Sequence, residues 1–374
     1  MRVMIVVTHL LGTGHLARAL TLGRAFAAAG QDTTVVSGGA PVPHFDTTGL
    51  RLEQLPPLRS NGTDFTTLLD DQGDVAMPVL RAERIAALLH LLETERPDVL
   101  ITELFPFGRR NLRDEFGALL EAATAAGTLI LASVRDILAP PSKPTKAAFA
   151  DDMIQRHYHG VLVHADREII TLDRSWPVSE ALAQHLHYTG FVAPPPPAPE
   201  PKGDTILVSA GGGTVGDAIF DASLAAAGVQ TEVPWHLMVG GDATRRDAYA
   251  ARATANVQID PPRPDFRALM GRAAASVSMC GYNTALDLLQ TGVPAVIVPF
   301  DDGDEVEQGL RADALSSLPG IQVLRQADLT ADRLMHAVGV AQQASRAPRH
   351  TGMDGAQEAV RITRHLWEAH HGQA

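Results

Sequence analysis

The sequence predicts an α/β protein of two facing, Rossmann-like domains, each built on a doubly wound parallel sheet, with a cleft between them. An apolar run opens on a glycine loop twice. Residues 2–7 lead to Gly12-Thr13-Gly14, and residues 205–209 lead to Gly211-Gly212-Gly213. Around these openings, apolar strand-like runs alternate with amphipathic helix-like stretches, which is the pattern of βαβ units.

Length and a proline run divide the chain. Its 374 residues exceed what one hydrophobic core usually organises. The run Pro194-Pro195-Pro196-Pro197 breaks regular structure and predicts a semi-rigid linker. We therefore expect an N-terminal domain at 1–192, a linker at 193–202, a C-terminal domain at 203–352, and a last helix within 353–374 that packs back on the first domain.

The elements follow from hydrophobic periodicity. In the N-terminal half it predicts strands at 2–7, 33–37, 98–102, 128–133 and 160–164, and helices at 15–29 and 79–95. In the C-terminal half it predicts strands at 205–209, 235–239, 256–260, 275–279 and 294–298, and helices at 214–227, 265–273, 283–291, 305–316 and 357–370. The polar, glycine-containing stretch 58–73 is interpreted as a long loop.

Composition excludes several classes of function. The chain is 45% hydrophobic and 20% charged, as in ordinary globular proteins, and its net charge of −12 lacks the basic excess that nucleic acids attract. Met1-Arg2-Val3 enters the first strand without a leader or a long apolar segment, so we expect a cytoplasmic protein with no strong membrane signal. The apolar segment 137–149, which carries two lysines, is at most a small membrane-facing loop. The single cysteine, Cys280, has apolar neighbours and is expected in the core, not as a nucleophile.

One stretch of the second half carries most of the chemistry. Between residues 276 and 312 a strand is followed by Gly281-Tyr282-Asn283-Thr284, a helix, a Thr-Gly-Val-Pro stop, another strand and a polar loop. Gly281 permits close approach of the backbone to a ligand. Asn283 or Thr284 is the expected cap of a helix whose first amide groups attract a pyrophosphate.

Three further polar side chains of this stretch suit a nucleotide carrying a sugar. Asp287 lies one turn into the helix, where a carboxylate can accept hydrogen bonds from two ribose hydroxyls. Glu307 and Gln308 end the polar loop and offer acceptors and donors for sugar hydroxyls.

This stretch resembles the C-terminal, donor-binding domain of the MurG-type glycosyltransferases of family 28. In that domain a small-residue turn, a helix with a ribose-binding acid, Gly-x-Pro, a second strand and a Glu/Gln pair follow one another. The resemblance implies the GT-B fold and a nucleotide-sugar donor. It implies that Asp287 holds the ribose, although the family typically has glutamate there. The other implied donor contacts are Glu307 and Gln308 on the sugar, Gly211, Gly212, Gly213 and Thr214 near the phosphates, and Arg263, within Pro262-Arg263-Pro264, beside the uracil.

The N-terminal opening, with Gly12, Gly14, His15 and Arg18, also resembles the first loop of this superfamily. MurG-type enzymes usually carry more glycines before the histidine. The same pattern resembles the UDP-sugar hydrolases of pseudaminic acid synthesis, which share the GT-B fold. Both reactions break the same anomeric C–O bond and release a nucleoside diphosphate, so transfer and hydrolysis both remain open at this point.

Catalysis requires a group that deprotonates the incoming hydroxyl or water. His15, at the start of its helix and with a reference pKa near 6.5, is the candidate general base, with a phosphate-contacting or capping role as the alternative. Glu103 and Asp136 follow strands and either orient His15 or act as the base. Arg18 and Arg135 are assigned to the phosphate or acceptor side, together with Gly12 and Gly14. Surface ion pairs or a solvated rim are the alternative roles of these charged side chains.

Several other readings are set aside. Asp302-Gly303-Asp304 mimics a metal-binding Asp-x-Asp, but in a loop of a GT-B-like donor site no metal is expected. The histidines within 157–164 and 185–187 lack thiols or a helical His-x-x-x-His pair and are expected at the solvent edge. A dinucleotide site is rejected because the third glycine of its motif is missing.

The sequence therefore predicts an enzyme that moves a sugar from a nucleotide sugar, a UDP-sugar, to an acceptor, with neither metal nor other cofactor. The acceptor is a sugar, a small molecule or a lipid-linked molecule. A hydrolase of the same fold and a non-catalytic nucleotide-sugar-binding protein are the alternatives. The residues leave open the sugar, the base, the inverting or retaining outcome, and the oligomeric state.

Overall fold

The computed structural model describes residues 1–10, 12–43, 45–61, 64–211, 213–301, 305–345 and 348–372. The chain forms two compact units. The N-terminal unit comprises Met1–Val192 together with Asp354–Ala374, and the C-terminal unit comprises Ala193–Met353.

Strands and helices alternate along both units. The strands are β1 (Arg2–Val7), β2 (Asp32–Ser37), β3 (Arg51–Gln54), β4 (Arg59–Asn61), β5 (Asp64–Leu69), β6 (Val99–Glu103), β7 (Leu129–Arg135), β8 (Gly160–His164), β9 (Leu186–Tyr188), β10 (Ile206–Ser209), β11 (Trp235–Met238), β12 (Val257–Asp260), β13 (Ala275–Ser278), β14 (Ala295–Ile297) and β15 (Ile321–Val323). The helices are α1 (Gly14–Ala28), α2 (Pro78–Glu95), α3 (Arg113–Ala125), α4 (Pro144–His157), α5 (Glu180–Ala183), α6 (Asp217–Val229), α7 (Ala243–Ala250), α8 (Phe266–Arg272), α9 (Tyr282–Thr291), α10 (Glu307–Leu315), α11 (Ala331–Gln342) and α12 (Gly355–Gly372).

The N-terminal unit is built on a parallel sheet in the order β3-β2-β1-β6-β7-β8-β9. Because β1, β6 and β7 are neighbours, their carboxyl ends lie side by side at one edge. The core joins the central strands to α1, through Leu16, Leu20 and Phe26, and to α12. Gly355 begins α12 against the backbone of residues 190–191, where an added Cβ would lie 2.4 Å from the Gly190 carbonyl oxygen.

The C-terminal unit is built on a second parallel sheet, in the order β12-β11-β10-β13-β14-β15. One face packs on α6 and α11 through residues such as Val208, Phe220 and Leu334. The predicted α/β class and the parallel sheets are confirmed. The predicted strands and helices named above agree with the observed bounds within three residues at each end.

Two segments differ from the prediction. The stretch 58–73 is not one long loop, because β4 and β5 pair antiparallel across it, with Arg59 opposite Leu69. Leu58 and Leu68 are buried and give this hairpin an apolar side, which the polar composition of the stretch did not indicate. Residues 144–149 of the segment 137–149 are not loop, since they open α4 with Pro144 at the first helical position, where a missing N–H costs nothing.

A buried ion pair fixes the helices behind the carboxyl edge of the N-terminal sheet. The Arg84 guanidinium on α2 is fully buried and donates from Nε and Nη2 to Glu115 on α3, at 2.7 and 2.8 Å. Its Nη1 donates to the Gly38 carbonyl after β2, at 2.9 Å. A buried cation needs such complete pairing to be tolerated.

The proline-rich segment belongs to the C-terminal unit. Gln290 Nε2 donates to the Pro194 carbonyl, and Arg267 Nη1 donates to the Pro195 carbonyl, both at 2.8 Å. These bonds hold the start of the segment on α8 and α9. Within the ranges that the structure describes, no helix has both the length and the apolar character needed to cross a membrane.

Candidate functional site

The carboxyl edge of the N-terminal sheet brings charged side chains together. Glu103 ends β6, and His15 lies in the first turn of α1, which follows β1. The His15 Nδ1 atom lies 2.9 Å from Glu103 Oε1. Arg18, one turn further along α1, contacts the same carboxylate oxygen and lies 3.2 Å from His15 Nδ1.

These contacts decide which ring nitrogen of His15 carries the proton. A carboxylate only accepts and a guanidinium only donates, so Nδ1 cannot serve both. The contact with Glu103 is the shorter one and joins a donor to a charged acceptor, which is the stronger type of hydrogen bond. We therefore assign the Nδ1–H tautomer, in which Nε2 keeps its lone pair. This arrangement follows the logic of a histidine oriented by a carboxylate.

Burial and charge set the protonation states of this pair. Burial lowers the pKa of His15 to about 4, against the opposing effect of Glu103, so the imidazole is neutral at neutral pH. Glu103 is only 2% exposed, and burial alone would raise its pKa. Arg18, His15 and the Ser133 hydroxyl, which donates to Oε2 at 2.7 Å, together hold that pKa well below its usual range.

The other predicted residues of this edge have different surroundings. Asp136 is buried, and its Oδ1 accepts from the Ile137 backbone amide at 2.8 Å. Arg135 Nε donates to the Ile137 carbonyl at 3.0 Å. Glu103, not Asp136, is thus the carboxylate bonded to His15.

The two N-terminal glycines are placed around the start of α1. Gly14 is its first residue, and Thr13 makes no side-chain cap. Among the described residues, chain neighbours aside, a Cβ at Gly12 or Gly14 would meet no atom within 4 Å.

Sequence reasoning missed Arg109. Its backbone is left-handed, with φ of 57°, and its Nε donates to the Thr8 carbonyl at 2.7 Å. Burial lowers its pKa to about 10, with Glu103 opposing and Arg135 adding to the shift, so a second cation lies near the pair. The predicted elements contain no signal for it, because it lies in the loop between β6 and α3.

One histidine expectation is wrong. His164 on β8 is fully buried, not at the solvent edge, and burial lowers its pKa to about 3. Its Nε2 lies 2.9 Å from Ser133 Oγ, so it belongs to the network beneath Glu103. The signal for its burial that the sequence offered was the position of His164 in a predicted strand, facing a polar neighbour.

The C-terminal unit ends its first strand in a glycine loop. Gly211 and Gly216 have φ of +80° and +98°, a region that favours glycine, and Gly216 caps the N-terminus of α6. Gly213 and Thr214 are exposed between them. The predicted Gly212 lies outside the described residues.

Arg245 on α7, which was not predicted, holds this loop. Its Nη1 donates to the Gly240 carbonyl at 2.9 Å, and its Nη2 donates to the Val215 carbonyl at 3.2 Å and to Asp217 at 2.6 Å. Tyr249 also donates to Asp217, and its pKa is raised to about 12, with burial as the largest cause.

The helix α9 begins at the carboxyl end of β13. Its N-cap is Gly281, in extended conformation and with no side-chain cap. The expectation that Asn283 or Thr284 caps it is wrong, because the helix starts before them. Within the described residues no side chain caps this helix start, and the amide groups of its first turn point in the direction that attracts anions.

Side chains of α10 fix that helix start through its backbone. Gln308 Oε1 accepts from the amides of Cys280 and Phe300, at 3.0 and 3.1 Å, and Arg311 Nη1 donates to the Cys280 carbonyl at 2.9 Å. Glu307 is the first residue of α10, and its amide donates to Glu305 at 2.8 Å. Cys280 itself is buried, as expected.

Asp287 lies on α9 but turns to α8. Asp287 is 8% exposed, and its carboxylate accepts from Arg267 Nε at 2.7 Å. Burial raises its pKa, with Arg267 opposing. Gln290, one turn later, accepts from the same guanidinium.

Arg263 lies in the loop after β12. It forms two parallel hydrogen bonds with Asp265, both 2.8 Å, and its Nη1 lies 3.5 Å from Asp260. His236 contacts the same Asp260 at 2.9 Å.

Within the described ranges, no three His, Cys, Asp or Glu side chains are grouped to hold a metal ion. The sequence Asp302-Gly303-Asp304 falls outside those ranges.

The fold and the two strand edges define a class of protein. Two parallel-sheet units, one with a glycine loop and an uncapped helix start, are the arrangement of the GT-B glycosyltransferases. Solved structures agree on the fold. Acinetobacter baumannii MurG matches with a TM-score of 0.67 at 18% identity, covering 98% of this chain and 100% of that chain. The glycosyltransferase SnogD from Streptomyces nogalater matches with a TM-score of 0.58 at 18% identity, covering 100% and 98%.

A family model matches most of the C-terminal unit and the first part of α12. Residues 212–362 match the glycosyltransferase family 28 C-terminal domain. The chain thus has a GT-B fold and carries a segment that matches this domain.

A curated relative points the same way. It is the UDP-N-acetylglucosamine--N-acetylmuramyl-(pentapeptide) pyrophosphoryl-undecaprenol N-acetylglucosamine transferase of Brucella melitensis, 27% identical over 190 residues, 46% of this chain and 49% of the relative. The chain therefore spans about half the length of the curated relative it matches.

Proposed function

We propose that this chain is a glycosyltransferase that moves a sugar from a nucleotide sugar to an acceptor hydroxyl. The observation that carries the proposal is the family match over residues 212–362, because it includes the start of α9 and the residues of α10 that hold it. The proposal takes the donor as a UDP-sugar and the location as cytoplasmic.

In this proposal the C-terminal unit binds the donor. The first-turn amides of α9 and the glycine loop at 211–216 bind the diphosphate. The helix dipole stabilises its negative charge without requiring a metal. Asp287 binds the ribose when Arg267 no longer donates to one oxygen of its carboxylate. Glu307 and the Gln308 amide lie at the sugar, and Arg263 lies beside the base.

The N-terminal unit supplies the base. His15 Nε2 takes the proton of the acceptor hydroxyl as its oxygen bonds to the anomeric carbon. The anomeric C–O bond breaks with its electron pair going to the departing nucleoside diphosphate, and the proton then leaves His15 to water. Glu103 stabilises the imidazolium that forms. General-base catalysis by a positioned side chain contributes about 10²–10⁴-fold in rate.

The relatives favour transfer over hydrolysis. The Brucella relative is named as a transferase, and the domain matched over residues 212–362 is that of a glycosyltransferase family. By its name the Brucella relative uses a pyrophosphoryl-undecaprenol acceptor, so a lipid-linked acceptor is one candidate and a soluble sugar or small molecule the other.

The test has two stages. A thermal-shift panel of UDP, TDP, GDP and ADP with their sugar conjugates identifies the donor, since a ligand at 100 times its Kd stabilises the fold by about 2.7 kcal/mol. Release of nucleoside diphosphate from that donor is then measured with and without an acceptor panel. Acceptor-dependent release supports transfer. Acceptor-free release of sugar would establish the hydrolase, and binding without release under any condition would establish a binding protein.

A further inference from the structure

A buried row of polar side chains continues from Glu103 across the N-terminal sheet. Ser133 Oγ lies 2.7 Å from Glu103 Oε2 and 2.9 Å from His164 Nε2, and His164 Nδ1 lies 2.9 Å from Thr189 Oγ1. Glu103, Ser133 and His164 belong to the neighbouring strands β6, β7 and β8, and Thr189 follows β9. Ser133 and His164 are fully buried.

The direction of every hydrogen bond in this row follows from counting protons. Glu103 is ionised and only accepts, so the Ser133 hydroxyl donates to it. That hydroxyl has one proton, so the next contact requires His164 to donate from Nε2. A neutral imidazole has only one N–H, so Nδ1 accepts, and Thr189 is its donor.

The resulting row has all its donors directed at one carboxylate. Thr189 donates to His164, His164 to Ser133, and Ser133 to Glu103. Hydrogen bonds arranged head to tail in a low-dielectric interior strengthen one another. Thr189 Oγ1 also lies 2.7 Å from the Gly190 carbonyl, a competing acceptor, so the Thr189 link is the weakest of the row.

We propose that Ser133 and His164 are positioning residues that hold Glu103 ionised and aimed at His15, so that His15 presents Nε2 as the base. This inference rests on the proposed function for its catalytic meaning. Neither residue is within hydrogen-bond distance of His15, whose side-chain neighbours at that distance in the described structure are Glu103 and Arg18. Their effect therefore passes through Glu103.

The first test reads the tautomer without turnover. In the full-length protein with ¹⁵N-labelled histidine and no ligand, NMR reports which nitrogen of His15 is protonated and its titration midpoint. The charged groups facing His15 are Glu103, Arg18 and Arg109. In Ser133→Ala, Glu103 loses a donor and its charge is less dispersed. We expect the His15 midpoint to move upward by about one pH unit, a tenfold change in the protonation constant, or the Nδ1–H form to become mixed.

A matched pair of variants tests His164. In His164→Gln the side-chain amide keeps a donor for Ser133, and we expect the wild-type tautomer and midpoint. His164→Leu has no donor, and we expect the same changes as in Ser133→Ala. If His164→Leu does not fold, Ser133→Ala, which removes one hydroxyl, decides alone. An unchanged tautomer and midpoint in Ser133→Ala overturn the inference.

Kinetics separate this inference from the proposed function. With the donor and acceptor found by the assay above, Ser133→Ala is expected to lower kcat about tenfold and to leave the donor KM unchanged. Turnover that Ser133→Ala leaves intact contradicts the positioning role. Absence of turnover in the wild-type protein contradicts the proposed function, while the NMR result still decides how Glu103 is held.

Discussion

The two units end their parallel strands in different chemistry. At the N-terminal edge, charged and polar side chains contact one another, and the Glu103 carboxylate accepts hydrogen bonds from Arg18, His15 and Ser133. At the C-terminal edge, the start of α9 is held through its backbone, as by Gln308 at Cys280 and Phe300. The first arrangement fixes a proton on one atom, and the second fixes amide groups in space. Under the proposed function, the same sheet architecture serves proton transfer in one unit and anion binding in the other.

The largest expected effect removes the charge from the N-terminal edge. In Glu103→Gln the amide can donate to His15 Nδ1, which places the ring proton on Nε2 and removes the base. We expect kcat to fall by about 10²–10⁴-fold, with nucleotide affinity unchanged. Glu121→Gln, an exposed residue of α3, is the matched control. Steady-state kinetics with calorimetric nucleotide titration measure both, and a kcat within threefold of wild type would remove Glu103 from the mechanism.

A smaller effect is expected from the backbone of the C-terminal edge. Gly211 has φ of +80°, so Gly211→Ala costs roughly 1–2 kcal/mol in that conformation or reshapes the loop. We expect the nucleotide Kd to rise about tenfold, measured by calorimetry. Gly213→Ala is the control, because Gly213 is exposed in the same loop and its added Cβ would meet no described atom within 4 Å beyond its chain neighbours. Equal affinities of the two variants would show that the loop conformation does not matter for binding.

The pH dependence of stability isolates the N-terminal edge. The pKa values of His15 and His164 are lowered by burial to about 4 and about 3, from 6.5. Between these lowered pKa values and 6.5, the histidines bind protons in the unfolded chain but not in the folded chain. The free energy of unfolding therefore falls as pH drops from about 6.5 towards 4. Glu103, whose pKa is held low, adds stability above its unfolded pKa that is lost on further acidification, in the same direction.

Denaturant unfolding at pH 7, 5 and 4 measures this loss, which we expect to reach roughly a few kcal/mol. In His164→Gln the position no longer titrates, so the decline from pH 7 to 4 should be shallower. A pH dependence identical to that of the wild-type protein would show that His164 is not held neutral.

The smallest expected effect concerns the side chain that holds the glycine loop. Arg245→Ala removes hydrogen bonds to the Gly240 and Val215 carbonyls, each worth about 0.5–1.5 kcal/mol. We expect the nucleotide Kd to rise about two- to tenfold in a fluorescence or calorimetric titration. Arg252→Ala also removes an arginine near Tyr249 but spares the loop, and it should bind as the wild type does. Equal Kd values for the two variants would place the loop's stability elsewhere.

The sequence predicted what depends on local pattern. Apolar runs such as 128–133 gave the buried strands, because a strand covered on both faces is apolar at consecutive positions. The hairpin of β4 and β5 was missed because its buried leucines, Leu58 and Leu68, lie among many polar residues.

The site was predictable only in part for the same reason. His15 and Glu103 follow strands, and strand ends at one edge could be expected to meet. The contacts of the other side chains join residues that are distant in the chain. Ser133 and Glu103 are 30 positions apart, Ser133 and His164 are 31 apart, and Arg245 and Val215 are 30 apart. No local pattern marks such contacts.

The most direct test of the division between the two units is a comparison of wild type and His15→Ala in two assays. Calorimetry measures nucleotide affinity, and acceptor-dependent release of nucleoside diphosphate measures turnover. The account predicts a Kd within twofold of wild type and turnover lowered by about 10²-fold or more. A His15→Ala variant that turns over normally, or one that loses turnover only because it no longer binds the nucleotide, would contradict it.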